Sequence, residues 1–241
     1  MQLFLLAGQS NMAGRGDVAP EDKLVPPGIF ALNRQLEWVP AADPLHFDKP
    51  VAGVGPGLSF ARAIAAQNGE AVIGLIPAAV GGSPITAWEP GALYPETGTR
   101  PYDDALLRTR HALRHGELRA ILWHQGESDA NPRAAPLYEA RLRTLIERFR
   151  SEFGDARAPF LIGGLGQWPE RPWDDAWKRV DQAHRDVAAS MPGVRFVSSQ
   201  GLAHKGDVLH FDASAARELG RRYAAAYLAI TAGSPPAQEN R

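Results

Sequence analysis

The feature that most narrows what this chain can fold into is the alternation of short, almost purely apolar runs with longer stretches of helical period. Leu3–Leu6, Ala71–Pro77, Ala120–His124, Pro159–Gly163 and Val194–Ser198 are apolar at nearly every position, as strands covered on both faces should be. Between them the apolar positions fall on one helical face. Leu58–Gln67 starts after Pro56 and stops before Gly69. Asp103–His115 carries Leu106, Leu107 and Leu113. Pro136–Phe153 aligns Tyr138, Leu142, Leu145, Ile146 and Phe149, and Trp173–Ser190 aligns Trp177, Val180, His184 and Val187. The last helix, with Asp212 as its N-cap, repeats Ala215, Leu219, Tyr223, Ala226, Tyr227 and Ile230. This order predicts βαβ units around a parallel sheet.

One stretch breaks the alternation. Residues 14 to 56 are rich in proline and glycine and have no helical period; Gly28–Asn33 and Leu36–Pro40 read as a small hairpin within them. A connection that long in a compact domain is usually a wall or lid of a site. There is no internal repeat or linker, so residues 1–232 read as one domain and the polar segment 233–241 as a flexible tail.

Composition excludes several functions. The net charge of −1 and pI near 6.7 offer nothing to a polyanion, so neither nucleic acid nor a membrane surface is expected as a partner. The 241 residues include no cysteine, which removes disulfides, thiolate metal sites and a cysteine nucleophile. No apolar run approaches the roughly 18 residues of a membrane span. Leu3–Ala7 is too short for a signal-peptide core and no basic residue precedes it. The chain as written is expected in the cytoplasm, or outside it if a leader once preceded Met1. His111 and His115 have a spacing that can hold a metal, but Arg108, Arg110 and Arg114 surround them, and they read as a solvated basic face. No metal or cofactor is expected.

The chemistry gathers at the strand ends. The first run ends in Gly8-Gln9-Ser10-Asn11-Met12, and in an open parallel sheet ligands bind beyond the carboxyl ends of strands. Ser10 is there a candidate nucleophile, although a Gly-x-Ser triplet alone is more often a turn. Near the other end, Asp207 and His210 are three positions apart, between the fifth strand and the last helix. That spacing lets a carboxylate hold one ring nitrogen of an imidazole while the other faces a serine, which is the base a hydroxyl nucleophile needs. After the second strand comes Ala79-Val80-Gly81-Gly82-Ser83, whose glycines can present a backbone N–H to an oxyanion. After the third comes His124-Gln125-Gly126-Glu127-Ser128-Asp129, where the Gln125 side chain can donate a second bond and the Ser10 amide completes the hole. Trp88, just after the glycine loop, is either a pocket wall stacking on a sugar or simple packing.

These segments resemble those of the SGNH hydrolases, in the branch that holds carbohydrate esterase family six and the sialate O-acetylesterase-like proteins. The likeness rests on LLAGQSNMAGRG, VGPGLSFARAI, IPAAVGGSPITAWEPG, LWHQGESDA and DVLHFDASAARELGRRYAAAY, which span nearly the whole chain. It implies a flavodoxin-like three-layer α/β/α sandwich with a five-stranded parallel sheet. It also implies metal-free hydrolysis of small O-acyl esters, above all O-acetyl groups on a sugar or oligosaccharide, through an acyl-enzyme. Carried over by position, it makes Ser10 the nucleophile, His210 the base, Asp207 its acid, and the Ser10 amide, Gly81 or Gly82, and Gln125 the oxyanion donors. Glu127 is a second candidate for the supporting acid, or else a structural carboxylate held by loop amides or Arg15; the spacing to His210 favours Asp207. A lipase or thioesterase for longer acyl chains, and a glycan-binding relative without catalysis, are the competing functions.

Overall fold

The computed structural model describes residues 1–67, 69 and 71–232; the expected tail lies outside the described residues. In chain order the elements are β1 (Gln2–Gly8), α1 (Ser10–Ala13), β2 (Ile29–Leu32), β3 (Trp38–Pro40), α2 (Pro56–Gln67), β4 (Ile73–Pro77), α3 (Pro101–Ala112), β5 (Glu117–His124), α4 (Ala135–Glu152), β6 (Phe160–Gly163), α5 (Asp175–Ser190), β7 (Val194–Val197) and α6 (Ala213–Ala232). All five expected strands and all five expected helices form. Asp212 caps α6 as expected, accepting the Ala215 amide at 2.7 Å.

The sheet corrects the expectation of five parallel strands. It has seven, in the order β3-β2-β4-β1-β5-β6-β7, and it is mixed. The hairpin of residues 28–40 forms but does not stand apart from the core. Ile29 and Leu32 are buried, and β2 extends the parallel array by pairing Ile29–Ala31 with Ile73–Leu75. β3 then runs antiparallel along β2 and closes that edge. Burial of a few apolar side chains is enough to recruit a four-residue segment that the surrounding loop composition disguises.

β1 is the central strand, with β4 on one side and β5 on the other, and its side chains alternate between two cores. Phe4 and Leu6 face α2 and α6 through Phe60, Leu219 and Tyr227. Leu3, Leu5 and Ala7 face α3, α4 and α5 through Ala105, Leu142 and Val180. Leu3, Phe4, Leu5 and Leu6 are all fully buried, each contributing about 2 kcal/mol of hydrophobic stabilisation. The chain winds from β1 first toward β4 and β2, and later toward β5, β6 and β7, so the strand order reverses at β1. That reversal opens a crevice beyond the carboxyl end of β1.

Arg108 departs from the solvated basic face expected for it. It is buried and donates to the carbonyls of Pro77 (2.7 Å) and Asn33 (3.1 Å) and to that of Leu32. Its guanidinium satisfies the carbonyls where β2 and β4 end, a cross-tie that one-dimensional helical periodicity does not reveal.

Candidate active site

β1 delivers Ser10 to the crevice through a turn that only glycine permits. Gly8 has φ 124°, and a Cβ on it would lie 2.1 Å from the His124 carbonyl oxygen. The Gln9 amide donates to that same carbonyl at 2.8 Å, which locks the end of β1 to β5. Ser10 then opens α1, where a backbone amide has no acceptor within its own helix.

A second loop brings in the histidine. The Asp207 carboxylate accepts the amides of Leu209 (3.0 Å) and His210 (2.8 Å) on one oxygen and His210 Nδ1 on the other at 2.7 Å. His210 Nε2 reaches Ser10 Oγ at 3.0 Å. The turn passes through Val208 at φ 49°, a costly conformation for a β-branched residue. His204 Nδ1 supports it by accepting the amides of Gly206 and Val208. Partial burial pushes the Asp207 carboxyl up, but the His210 amide, the imidazole and the Leu209 amide outweigh it and hold the group below the usual carboxylate range. An ionised Asp207 fixes the proton on Nδ1 and leaves Nε2 to accept from the serine.

Asn11 was not singled out in the sequence, yet it couples the two loops. Its Nδ2 donates to the Leu209 carbonyl at 3.1 Å and its Oδ1 accepts the Phe211 amide at 3.1 Å, so one side chain brackets the backbone on both sides of His210. The same Nδ2 donates to Glu127 Oε1 at 2.7 Å. Glu127 is thus turned toward Asn11, and its nearest histidine is the fully buried His124, whose Nε2 is 3.5 Å away, rather than His210. Burial pushes the Glu127 carboxyl up; His124 and Asn11 overrule it and hold it below its ordinary range. Arg15, the other candidate partner of Glu127, pairs instead with Asp48 at 2.8 Å. Adjacency to Ser10 was the one signal for Asn11 in the sequence.

The two glycines of the β4 loop are distinguishable. The Gly81 amide donates to Asp48 Oδ2 at 2.8 Å, whereas Gly82, at φ 83°, is exposed beside Ser10 with no amide hydrogen bond among the described residues. The Gln125 side chain, expected as an oxyanion donor, is already committed to other partners. Its Nε2 donates to the Ser83 carbonyl (3.1 Å) and to Asp129 Oδ2 (2.6 Å), its Oε1 accepts the Tyr138 hydroxyl (2.8 Å), and it is wholly buried. Both amide hydrogens are spent on the glycine loop and on Asp129. Trp88 is likewise not a wall of this pocket. It is 1% exposed, meets Trp123 edge-on and donates to Ser83 Oγ at 3.0 Å, bracing the glycine loop from below.

The cavity over Ser10 has a volume of about 460 Å³ and is bordered by Lys49, Val51, Arg171, Trp177 and Leu209. Lys49 and Val51 belong to the long segment after residue 14, which does serve as a wall. Trp177 faces the cavity with Arg171 lying 4.5 Å over its ring. The arrangement supplies a hydroxyl in contact with an imidazole nitrogen, a carboxylate behind it and uncommitted backbone amides beside it, which is the equipment of acyl transfer.

Comparison with known proteins agrees with this geometry. Residues 1–229 match the family model described as carbohydrate esterase, sialic acid-specific acetylesterase. A probable carbohydrate esterase of Arabidopsis thaliana is 34% identical over 251 residues, covering 94% of this chain and 90% of that protein. Among solved structures, an Arabidopsis thaliana protein superposes with a TM-score of 0.83 at 32% identity, covering 95% of this chain and 98% of the other. The structure of NanS shares the fold with a TM-score of 0.78 at 20% identity, covering 97% and 98% of the two chains.

Proposed function

The chain belongs to the carbohydrate esterase, sialic acid-specific acetylesterase family, and from that premise we propose that Ser10, His210 and Asp207 are its catalytic residues. It is a carboxylic ester hydrolase of the carbohydrate acetylesterase type. The observation that carries the residue assignment is the unbroken line from Asp207 Oδ2 through His210 to Ser10 Oγ, with contacts of 2.7 and 3.0 Å. GQSNM, WHQGESD and DVLH, with Ser10 closing the central strand, support placing the chain among the SGNH hydrolases.

In the first half-reaction Ser10 Oγ attacks the ester carbon while His210 Nε2 takes its proton. The negative charge on the carbonyl oxygen is received by the Ser10 amide and by the amide of Gly82, the glycine whose N–H remains free. The bond between the acyl carbon and the sugar oxygen then breaks as His210 gives that proton to the departing alcohol. In the second half-reaction water attacks the acyl-serine while His210 takes its proton, the acyl carbon–Oγ bond breaks, and His210 returns the proton to Ser10 Oγ as the carboxylic acid leaves. Asp207 stabilises the imidazolium in both steps without itself taking the proton.

The test is Ser10→Ala on p-nitrophenyl acetate, with thermal melting as a check on folding. Turnover is expected to fall by about 10⁴-fold or more; a variant that hydrolyses the ester at the wild-type rate overturns the assignment. A series of acyl chain lengths, with acetate release from acetylated xylan, sialic acid and simple sugar acetates, then fixes the acyl group and the sugar. A steep decline beyond acetyl is expected, and rates that rise with chain length would favour a lipase-like enzyme.

A further inference from the structure

Beside the cavity over Ser10 lies a second one of about 420 Å³, and the two share Gly82 and Ser128. Each falls within the size range of small-ligand pockets. Together they form a cleft that starts at the nucleophile and runs outward over the glycine loop. The second cavity is walled by Pro84, Thr86, Leu93, Tyr94, Pro95 and Glu96. Leu93 is 54% exposed, an apolar surface held open to solvent beside polar groups.

Tyr94 is the informative residue. It is only 7% exposed, and its hydroxyl ends beside Gly82, 2.9 Å from where a Cβ on that glycine would lie. That hydroxyl has no hydrogen-bond partner among the described residues, although the Tyr94 backbone bonds Thr99 and Gly98. The ring is buried while the hydroxyl itself stays open to the cleft, free to donate to a group that enters it. The loop that carries it is already fixed. Gly91 donates to Asp103 and Arg100 to Asp104 at the start of α3, so the cleft is preformed.

We propose that this cleft binds a second sugar residue of the substrate, joined to the one that carries the ester, with the Tyr94 hydroxyl as its polar anchor. The proposal rests on the reading of the site as a carbohydrate esterase and names an oligosaccharide rather than a lone monosaccharide as the preferred substrate. An acetyl group is spent within the cavity over Ser10, and only the sugar portion of the ester is long enough to follow the cleft past Gly82. Pro84, Leu93 and Pro95 match the C–H faces of a pyranose ring, while Tyr94, Thr86 and Glu96 face its hydroxyls. Burial, and then the Glu96 carboxylate, raise the Tyr94 hydroxyl above its usual range, so it remains a donor at every working pH.

The experiment compares kcat/KM for mono-O-acetylated xylose and xylobiose, and for mono-O-acetylated glucose and cellobiose, with p-nitrophenyl acetate alongside. In at least one pair the disaccharide is expected to exceed the monosaccharide by about tenfold, the worth of one or two good hydrogen bonds. Tyr94→Phe should reduce that ratio by about three- to tenfold. Thr86→Trp, which fills the cleft, should bring it to unity with an unchanged melting temperature. Equal values for mono- and disaccharides in both pairs, or a Tyr94→Phe variant that lowers both members of a pair by one factor, would overturn the proposal. Failure of the underlying esterase reading looks different: no ester is cleaved, p-nitrophenyl acetate included.

Discussion

Two carboxylate–histidine pairs lie on either side of Ser10, and they are built in opposite ways. Asp207 and His210 form the open pair. Their side chains are 41% and 20% exposed, they meet at 2.7 Å, and the histidine touches the serine. Glu127 and His124 form the sealed pair, 4% and 0% exposed, 3.5 Å apart, with no direct contact to the serine hydroxyl. Both carboxyls are held below their ordinary range, so ionisation does not tell them apart. Access does. A base that gives its proton to a departing alcohol and takes another from water must reach both, and only the open pair does. The sealed pair acts through Asn11, which links Glu127 to the backbone around His210. A fixed buried charge can hold geometry; a mobile proton needs a door.

That contrast can be broken by measurement, and the largest effect should come from the proposed base. His210→Ala is expected to lower kcat on p-nitrophenyl acetate by about 10⁴-fold with little change in melting temperature; steady-state kinetics at saturating ester would show it. Asp207→Asn comes next, at up to about 10⁴-fold in kcat, because the imidazole loses the group that fixes its tautomer. Asn11→Ala should cost about tenfold in kcat with KM nearly unchanged, and about 2 kcal/mol of stability from its broken bonds, read by urea unfolding. Glu127→Gln retains an acceptor for Asn11 and should cost only a few-fold in kcat. If Glu127→Gln proved more damaging than Asp207→Asn, the roles of the two pairs would be exchanged.

A third carboxyl shows what happens when burial outweighs the partners: the Gly55 amide, Arg62 and Arg217 pull Asp43 down but do not prevail. Asp43 is pushed from 3.8 to about 7, first by desolvation and then by the neighbouring Asp22. Because its folded value is raised, the native state holds the proton more tightly than the unfolded chain. Stability is therefore lost as pH rises from about 4 to about 7 and stays level above that. Asp43→Asn should match the wild type in melting temperature near pH 4 and exceed it near pH 8, with kcat unaffected. A constant difference across that range would contradict the effect.

Much of this was readable before any coordinates. Five strands and five helices follow from apolar runs and helical period, because each is a local pattern. Ser10, Asp207 and His210 stood out because each follows a strand or sits at a spacing that suits its chemistry. What escaped depends on three-dimensional bookkeeping of hydrogen bonds. Asn11 acts on a backbone nearly two hundred positions away, and no local pattern announces that. Gln125 carries the right functional group, but its two hydrogens are claimed by Ser83 and Asp129, a competition that becomes visible only once the neighbours are in place. The hairpin of β2 and β3 was legible, but not its place in the main sheet, because only burial of its few apolar residues against β4 makes it part of that sheet.

The position of β1 carries a consequence for how the molecule comes into being. This strand is translated before both of its sheet neighbours, which lie far downstream, at residues 73–77 and 117–124. The segment has no sheet partner until residue 73 has been joined and is not flanked on both sides until residue 117, a delay that slows assembly and invites clumping. Its serine waits longer still, since the imidazole is translated 200 positions later. Any message truncated in between yields a polypeptide that bears Ser10 without the imidazole it contacts.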